Sequence, residues 1–144
     1  MPEPILAVTD APDEAACAAI ENGLGAFNDA MTGYGDRRAL AVLVQDPGTG
    51  QVLGGVLGRT SLGLLFIDLV FLPETLRRGG IGQRMIALAE AEALRRGCVA
   101  SVLYTISFQA PGFYEKLGYR QFGRVACQPP GTSRVVMTKP LASP

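Results

Sequence analysis

From residue 38 onward the chain gathers its apolar residues into short, nearly continuous runs: ALAVLVQD, QVLGGVLGRT, LGLLFIDLVFLP and CVASVLYT. Runs of this kind predict strands buried on both faces, because a half-exposed strand would alternate apolar and polar residues. Helices must then supply the cover. The first two runs are joined by PGTG, whose Pro47, Gly48 and Gly50 predict a β-hairpin, and the third ends at Pro73. Between Gly80 and Arg96 the spacing turns helical: Ile81, Met85 and Leu88 share a face, Ala87, Ala89, Ala91 and Ala93 allow close approach, and Gly97 stands as the C-cap. PGFYEKLG predicts a short helix entered through Pro111 and ended at Gly118. Strands YRQFGRVA and SRVVMTK follow, on either side of a Pro129-Pro130-Gly131 turn. At the N-terminus ILAV, Ile5 to Val8, reads as a short strand. Thr9 or Asp10 would cap an Ala-rich, weakly periodic helix that breaks near Gly23 and resumes through Phe27. The predicted order is β-α-α-β-β-β-α-β-α-β-β, an α/β sheet with antiparallel strands leading in and a parallel crossover at the centre.

Composition narrows what such a sheet can do. A chain of 144 residues, 48% of them hydrophobic, is the size of one domain around one core, so 1–144 is expected to be a single domain. Net charge is zero and the pI about 6.2, which gives no global field to attract nucleic acid or an anionic membrane. The charge is uneven all the same. The first thirty residues hold six acids and no base, and the remainder is net basic by six, with arginines thickest near residues 77–84. Such a local excess suits a small polyanion, or is ordinary solvated surface. The longest apolar run, Leu62 to Leu72, is interrupted by Gly63 and Asp68 and falls short of the roughly 20 residues a membrane helix needs. An acidic N-terminus lacks the basic start and apolar core of a signal peptide. Cys17, Cys98 and Cys127 are widely spaced with no CxxC, so they are expected to be thiols of a cytoplasmic protein without a zinc site or disulfide framework. Histidine is absent, which removes every Ser-His, Cys-His and His-ligand mechanism.

The segment LPETLRRGGIGQRM, Leu72 to Met85, concentrates the candidate chemistry. A Walker loop needs GxxxxGK[ST], and no Lys-Ser or Lys-Thr pair follows Gly80. A dinucleotide fingerprint starting at Gly80 needs Gly or Ala where Met85 stands, and would follow a first strand instead of a three-strand meander. What is left is R-x-x-G-x-G at a helix start: Arg77, Gly80 and Gly82, with Gly79 beside them. Without Cβ atoms these residues let a bulky phosphate approach several backbone N–H groups at the positive end of a helix dipole. Arg77 and Arg78 can add charge-assisted hydrogen bonds. A Gly-rich turn with no ligand is the alternative.

Together with SFQAPGFYEKLGY, this segment resembles the GCN5-related N-acetyltransferase (GNAT) superfamily over nearly the whole chain, and within it a group of small bacterial acetyltransferases. The resemblance implies a mixed, mostly antiparallel sheet of six to seven strands covered by helices on both faces. It further implies a cradle for the pyrophosphate of acetyl-CoA at Arg77, Arg78, Gly79, Gly80, Ile81, Gly82 and Gln83, with the pantetheine arm along Val70 to Leu72. It makes Tyr114 the proton donor to the leaving thiolate. Two departures stand out. Many relatives carry Asn seven residues before the tyrosine, where this chain has Ser107, which can make part of the same cofactor contact. Leu76 also lengthens the loop before Arg77 by one residue, which leaves open which amides meet the phosphates.

Acyl transfer to an amine needs a neutral amine, a stabilised oxyanion and a protonated leaving sulfur. A phenol with a pKa near 10 can protonate a thiolate, and pattern alone leaves Tyr114 either that donor or a core aromatic beside Phe113. For the oxyanion, a backbone N–H freed near Leu69 to Leu72 is expected. Asp68, the acid inside a central strand, is the base candidate, or faces a partner such as Arg59. The acceptor is expected to be a small-molecule or peptide amine. Glu21, Asn22, Asp29, Tyr34 and Asp36 could receive its cation, or face solvent, and the loop Gln128 to Ser133 would wall the cleft. Many relatives dimerise, so a homodimer is expected by resemblance. The function expected is an acetyl-CoA-dependent N-acetyltransferase without a metal. The competing readings are a non-catalytic acyl-CoA-binding domain of the same fold and a dinucleotide-dependent enzyme.

Overall fold

A computed structural model describes residues 2–141. The chain divides into two compact units, Met1–Gly35 and Asp36–Pro144.

The first unit is built on one helix, α1 (Glu14–Thr32). Its N-cap is Asp13, whose carboxylate accepts from Ala16 N at 2.8 Å, and not Thr9 or Asp10 as expected. Pro12 explains the difference: a cap at either earlier position would meet proline at the second or third helical residue, where no N–H is available. Nor does the helix break near Gly23. One glycine costs about 1 kcal/mol in a helix interior, too little to interrupt a continuous run. It stops at Gly33, which takes φ 84° and returns its N–H to Asp29 O. Ile5, Leu6 and Val8 of the expected first strand are exposed and join no ladder among the described residues. A four-residue strand has little stability without a partner, and Pro2 and Pro4 remove two donors from its approach.

The second unit is an open six-stranded sheet: β1 (Arg38–Gln45), β2 (Val52–Ser61), β3 (Leu64–Phe71), β4 (Ala100–Ile106), β5 (Arg120–Ala126) and β6 (Ser133–Pro140), in the order β1-β2-β3-β4-β6-β5. Every neighbouring pair is antiparallel except β3 and β4. That parallel pair requires a crossover, supplied by α2 (Ile81–Arg95), while α3 (Pro111–Lys116) links β4 to β5. The hairpin, the crossover helix and the short Pro111 helix stand where the apolar pattern puts them.

Leu40, Val56, Leu65 and Ile67 form one face of β1 to β3, and Met85, Ile86, Ala89 and Ala93 of α2 are buried in the same cluster. Each large side chain among them contributes about 1.5–3 kcal/mol on burial. Inside this unit helical cover lies on that face, while Leu57, Leu69 and Phe71 of the other are exposed. Arg96, at the end of α2, donates from Nη1 to Ala39 O and Thr60 Oγ1 and from Nε to Glu92. The C-terminal end of the helix is thereby pinned to β1 and β2, which sets where its N-terminus stands.

Two irregularities shape the sheet beside that N-terminus. Leu57 pairs with Leu69 and Gly58 with Ile67, so Asp68 is the extra residue of a β-bulge. Pairing of β3 with β4 covers only Leu64–Ile67 against Ala100–Leu103. Beyond it β4 continues with β6, and the two parallel strands share no further ladder. The edge of β3 from Asp68 to Phe71 is therefore open on its β4 side.

Candidate active site

The open end of β3 runs into the glycine segment through a turn that accommodates the extra residue. Glu74–Leu76 form a single 3-10 turn, with Leu76 N donating to Pro73 O and Arg77 N to Glu74 O. The half-buried Leu76 is absorbed there, and the glycine register is kept. Arg77 is extended, Arg78 takes φ 70° and Gly80 φ 83°, and α2 starts at Ile81. A non-glycine residue in the left-handed region is uncommon, and such strain gathers where backbone must present groups to a ligand.

Gly80 is the N-cap but has no side chain to cap with. The first intrahelical bond from this end is Arg84 N to Gly80 O, so the N–H groups of Ile81, Gly82 and Gln83 precede the ladder. No acid lies in the first turn to offset the helix dipole. A Cβ at Gly79 or Gly80 would meet no protein atom within 4 Å. Three uncapped amides, a positive helix end and open space above two glycines are what the pyrophosphate of acetyl-CoA requires, so the residues present fit that group.

Arg77 takes a place the sequence did not suggest. Its Nε donates to Leu72 O at 2.8 Å, tying the loop to the end of β3 and leaving the outer guanidinium nitrogens for an anion. Val70, Leu72 and Ile81 are partly buried against the core, so this bond and that packing hold the β3 end and the helix start together.

Gly82 connects the loop to α3. A Cβ there would stand 3.3 Å from Phe113 Cζ, so the missing methyl lets this ring seat on the first turn of α2. Phe113 in turn meets Tyr114 edge to face, with ring centroids 5.1 Å apart. Tyr114 is 8% exposed, and burial pushes its phenol above the ordinary tyrosine value. No protein hydrogen bond to its hydroxyl is found among the described residues, and no buried side-chain oxygen there lacks a partner. The hydroxyl therefore reaches accessible space, with a buried ring and an unshared proton.

Asp68 stands on the bulge, two residues before Val70, and receives Arg59 Nη1 on both oxygens at 2.8 and 3.0 Å. Arg59 also lies over the Phe66 ring at 4.5 Å. Both members of the pair are about half exposed. Ser107, past the end of β4, accepts at Oγ from Ser133 N and donates its own N–H to Ser133 O. It ties β4 to the start of β6 and keeps its hydroxyl proton for a further acceptor. Asp36 accepts from Leu62 N at the turn between β2 and β3, at the opposite end of β3 from the glycine loop. The structure thus brings Val70, Leu72, Arg77–Gln83 and Tyr114 to one end of the sheet, with Asp68 on the adjoining bulge and Ser107 at the end of β4. Among the described residues no group of three or more His, Cys, Asp or Glu could hold a metal ion, and no helix is long and apolar enough to cross a membrane.

Sequence reasoning missed the Arg77 clamp and the packing of Tyr119, whose ring meets Tyr114 with centroids 5.9 Å apart. The available signal for Tyr119 was its place directly after the helix-ending Gly118.

Residues 36–121 match the family model for the acetyltransferase (GNAT) domain. An acetyltransferase of Agrobacterium fabrum is 35% identical over 116 residues, covering 81% of this chain and 84% of the relative. A blasticidin-S acetyltransferase of Streptomyces morookaense is 39% identical over 93 residues, 64% of this chain and 68% of the relative. A crystal structure assigned as an acetyltransferase from Agrobacterium tumefaciens superposes with a TM-score of 0.85 at 32% identity, covering 94% of this chain and 98% of that one. With the family model, the splayed sheet and these relatives in agreement, the chain belongs to the GNAT family of acetyltransferases.

Proposed function

We propose that the protein is an N-acetyltransferase that carries an acetyl group from acetyl-CoA to a primary amine of a small molecule or a peptide. The observation that carries this reading is the uncapped start of α2 at Gly80–Gln83, lying against the Phe113–Tyr114 pair through Gly82. When bound, acetyl-CoA supplies a thioester carbonyl to the attacking amine and a thiolate as leaving group. The amides of Ile81, Gly82 and Gln83 bind the pyrophosphate, and Arg78 with the outer nitrogens of Arg77 adds charge. The open edge of β3 near Val70 and Leu72 orients the pantetheine arm by main-chain hydrogen bonds and offers an N–H where negative charge develops. Ser107 holds its hydroxyl proton for the same arm. Tyr114 keeps a proton at its hydroxyl, available to the departing sulfur. The whole chain is read as one acetyltransferase domain, which the 94% coverage of the Agrobacterium tumefaciens superposition supports.

Asp68 is assigned to the acceptor side. A carboxylate has about four lone-pair positions, so one that accepts from Arg59 can still accept from an amine. Asp68→Asn is expected to lower kcat/KM for the amine about tenfold and to shift its pH–rate profile, with acetyl-CoA affinity unchanged. A superimposable profile would remove Asp68 as the base.

The reading as a whole is tested by titrating the protein with acetyl-CoA and with NAD, then following free thiol over a panel of polyamines, amino acids, aminoglycosides, peptide amines and blasticidin S. Saturable acetyl-CoA binding with thiol release on one class of amine is expected. Binding without thiol release on any amine would favour the non-catalytic acyl-CoA binder, and failure to bind acetyl-CoA would end the proposal.

A further inference from the structure

We propose that Tyr119, clamped at its hydroxyl by Ser101 and Glu90, is a positioning residue that sets the aim of the Tyr114 phenol. The inference rests on the reading of Tyr114 as proton donor and adds what holds that donor in place.

The Tyr114 hydroxyl has no protein hydrogen bond among the described residues, so the packing of its ring decides where that oxygen points. Phe113, one of two aromatic rings that meet it among the described residues, is partly buried and rests on the bare edge of Gly82. The other, Tyr119, is 3% exposed and meets Tyr114 at an interplanar angle of 75°. Main-chain geometry adds a second link, from Tyr119 N to Tyr114 O at 3.0 Å.

What distinguishes Tyr119 is the anchoring of its far end. A phenol hydroxyl has one proton, and the Glu90 carboxylate can only accept, so Tyr119 donates to Glu90 Oε2 at 2.9 Å and accepts from the fully buried Ser101 hydroxyl at 2.8 Å. Glu90 is held in turn by Lys139 Nζ on its other oxygen at 2.8 Å. The Lys139 stem runs beside Gly118, where a Cβ would stand 3.3 Å from its Cε. Ser101 carries a further bond on its carbonyl from Thr138 Oγ1. One side chain is thus fastened to α2, β4 and β6 together, three elements whose mutual placement the core already fixes.

A largely buried ion pair is a poor device for stability, since apolar residues of similar volume often serve as well or better. Its return here is geometric. Burial, opposed by the Ser101 hydrogen bond and reinforced by the Glu90 carboxylate, holds the Tyr119 phenol well above its usual value, so it stays a donor throughout the neutral range. A misplacement of about 1 Å at a reacting group can cost about 100-fold in rate. A rigid wall behind the Tyr114 ring is therefore expected to show in turnover.

The test is a double-mutant cycle in the full chain, using the best acceptor of the amine panel. Tyr119→Phe keeps the ring and removes the clamp. It is expected to lower kcat about tenfold, with KM for acetyl-CoA within about twofold. In a Tyr114→Phe background the same change is expected to have no further effect on kcat, because no donor is left to aim. Ser101→Ala removes half of the clamp, should lower kcat in the same direction by less, and carries the cycle if Tyr119→Phe does not fold. A readout free of any acceptor runs alongside: with carbon-13 in the tyrosine rings, the Tyr114 resonance is expected to shift and broaden in Tyr119→Phe. Wild-type kcat and an unmoved Tyr114 resonance in Tyr119→Phe, or full multiplication of the two kcat losses, would overturn the proposal. Wild-type kcat in Tyr114→Phe alone would instead remove the donor reading beneath it, so the two failures are told apart.

Discussion

Replacing Tyr114 with phenylalanine is expected to lower kcat about a hundredfold while KM for acetyl-CoA stays within about twofold. The size follows from the usual worth of a positioned general acid, and the split follows from where the group acts. The proposed grip on the co-substrate lies in the amides of residues 81–83, which do not pass through the Tyr114 hydroxyl, whereas the departing sulfur is proposed to take its proton from that hydroxyl. Stability should barely change, because the hydroxyl makes no protein hydrogen bond and its loss strands no partner. The pH dependence has a definite sign. Burial raises the Tyr114 pKa, so the folded protein holds this proton more tightly than the unfolded chain. That contribution to stability is present in full below about pH 10 and is lost as pH rises through the folded value. An alkaline limb in kcat set by Tyr114 is expected to lie above about pH 10 and to vanish in Tyr114→Phe. Thiol-release kinetics across pH check both points, and unchanged turnover would remove the assignment.

The parts of the fold that the sequence exposes are those governed by local rules. Apolar runs bounded by Pro and Gly mark β1 to β4, and the hairpin turn at Pro47–Gly50 is a local signal, as is the left-handed Gly97 that ends α2, although it stands one residue past the C-cap, Arg96, and is not itself the cap. The glycine register of the loop is legible for the same reason, since Gly80 supplies a left-handed conformation that few residues accept. Arg78 shares that conformation and gives no such signal, because arginine rarely adopts it. The bulge at Asp68 is invisible because apolar residues flank it on both sides, so an added residue leaves the pattern intact. Arg59, the partner the sequence offers for Asp68, pairs in register with Phe66 and reaches the bulge through its guanidinium. At the N-terminus capping overrides propensity: Pro12 and Asp13 decide where α1 begins, and four apolar residues cannot form a strand alone. Tyr119 was hidden by topology. Glu90, Ser101 and Lys139 converge on it from three elements, and nothing in the spacing of those residues reports that they meet.

Placing valine at Gly80 is expected to weaken acetyl-CoA binding at least about a hundredfold, equivalent to about 2.7 kcal/mol. Two effects contribute, and they can be separated. Gly80 has φ 83°, where an L residue, and a β-branched one most of all, costs about 1–2 kcal/mol in the folded state. A fall in melting temperature of about 3–8 °C should accompany the substitution. Strain of that kind would also move the amides of Ile81, Gly82 and Gln83, which start from this residue. The second effect is occupancy. A Cβ at Gly80 meets no protein atom within 4 Å, so the side chain would enter the space proposed for the pyrophosphate. Gly80→Asn divides the two, because asparagine tolerates the left-handed region and should melt closer to the wild-type temperature, yet it still fills the space. If occupancy dominates, both variants lose acetyl-CoA by similar factors in a binding titration. If strain dominates, asparagine retains most of the affinity and valine does not. Wild-type affinity in Gly80→Val would mean that the open start of α2 is not where the co-substrate is held, and the clamp from Arg77 to Leu72 would then serve the loop alone.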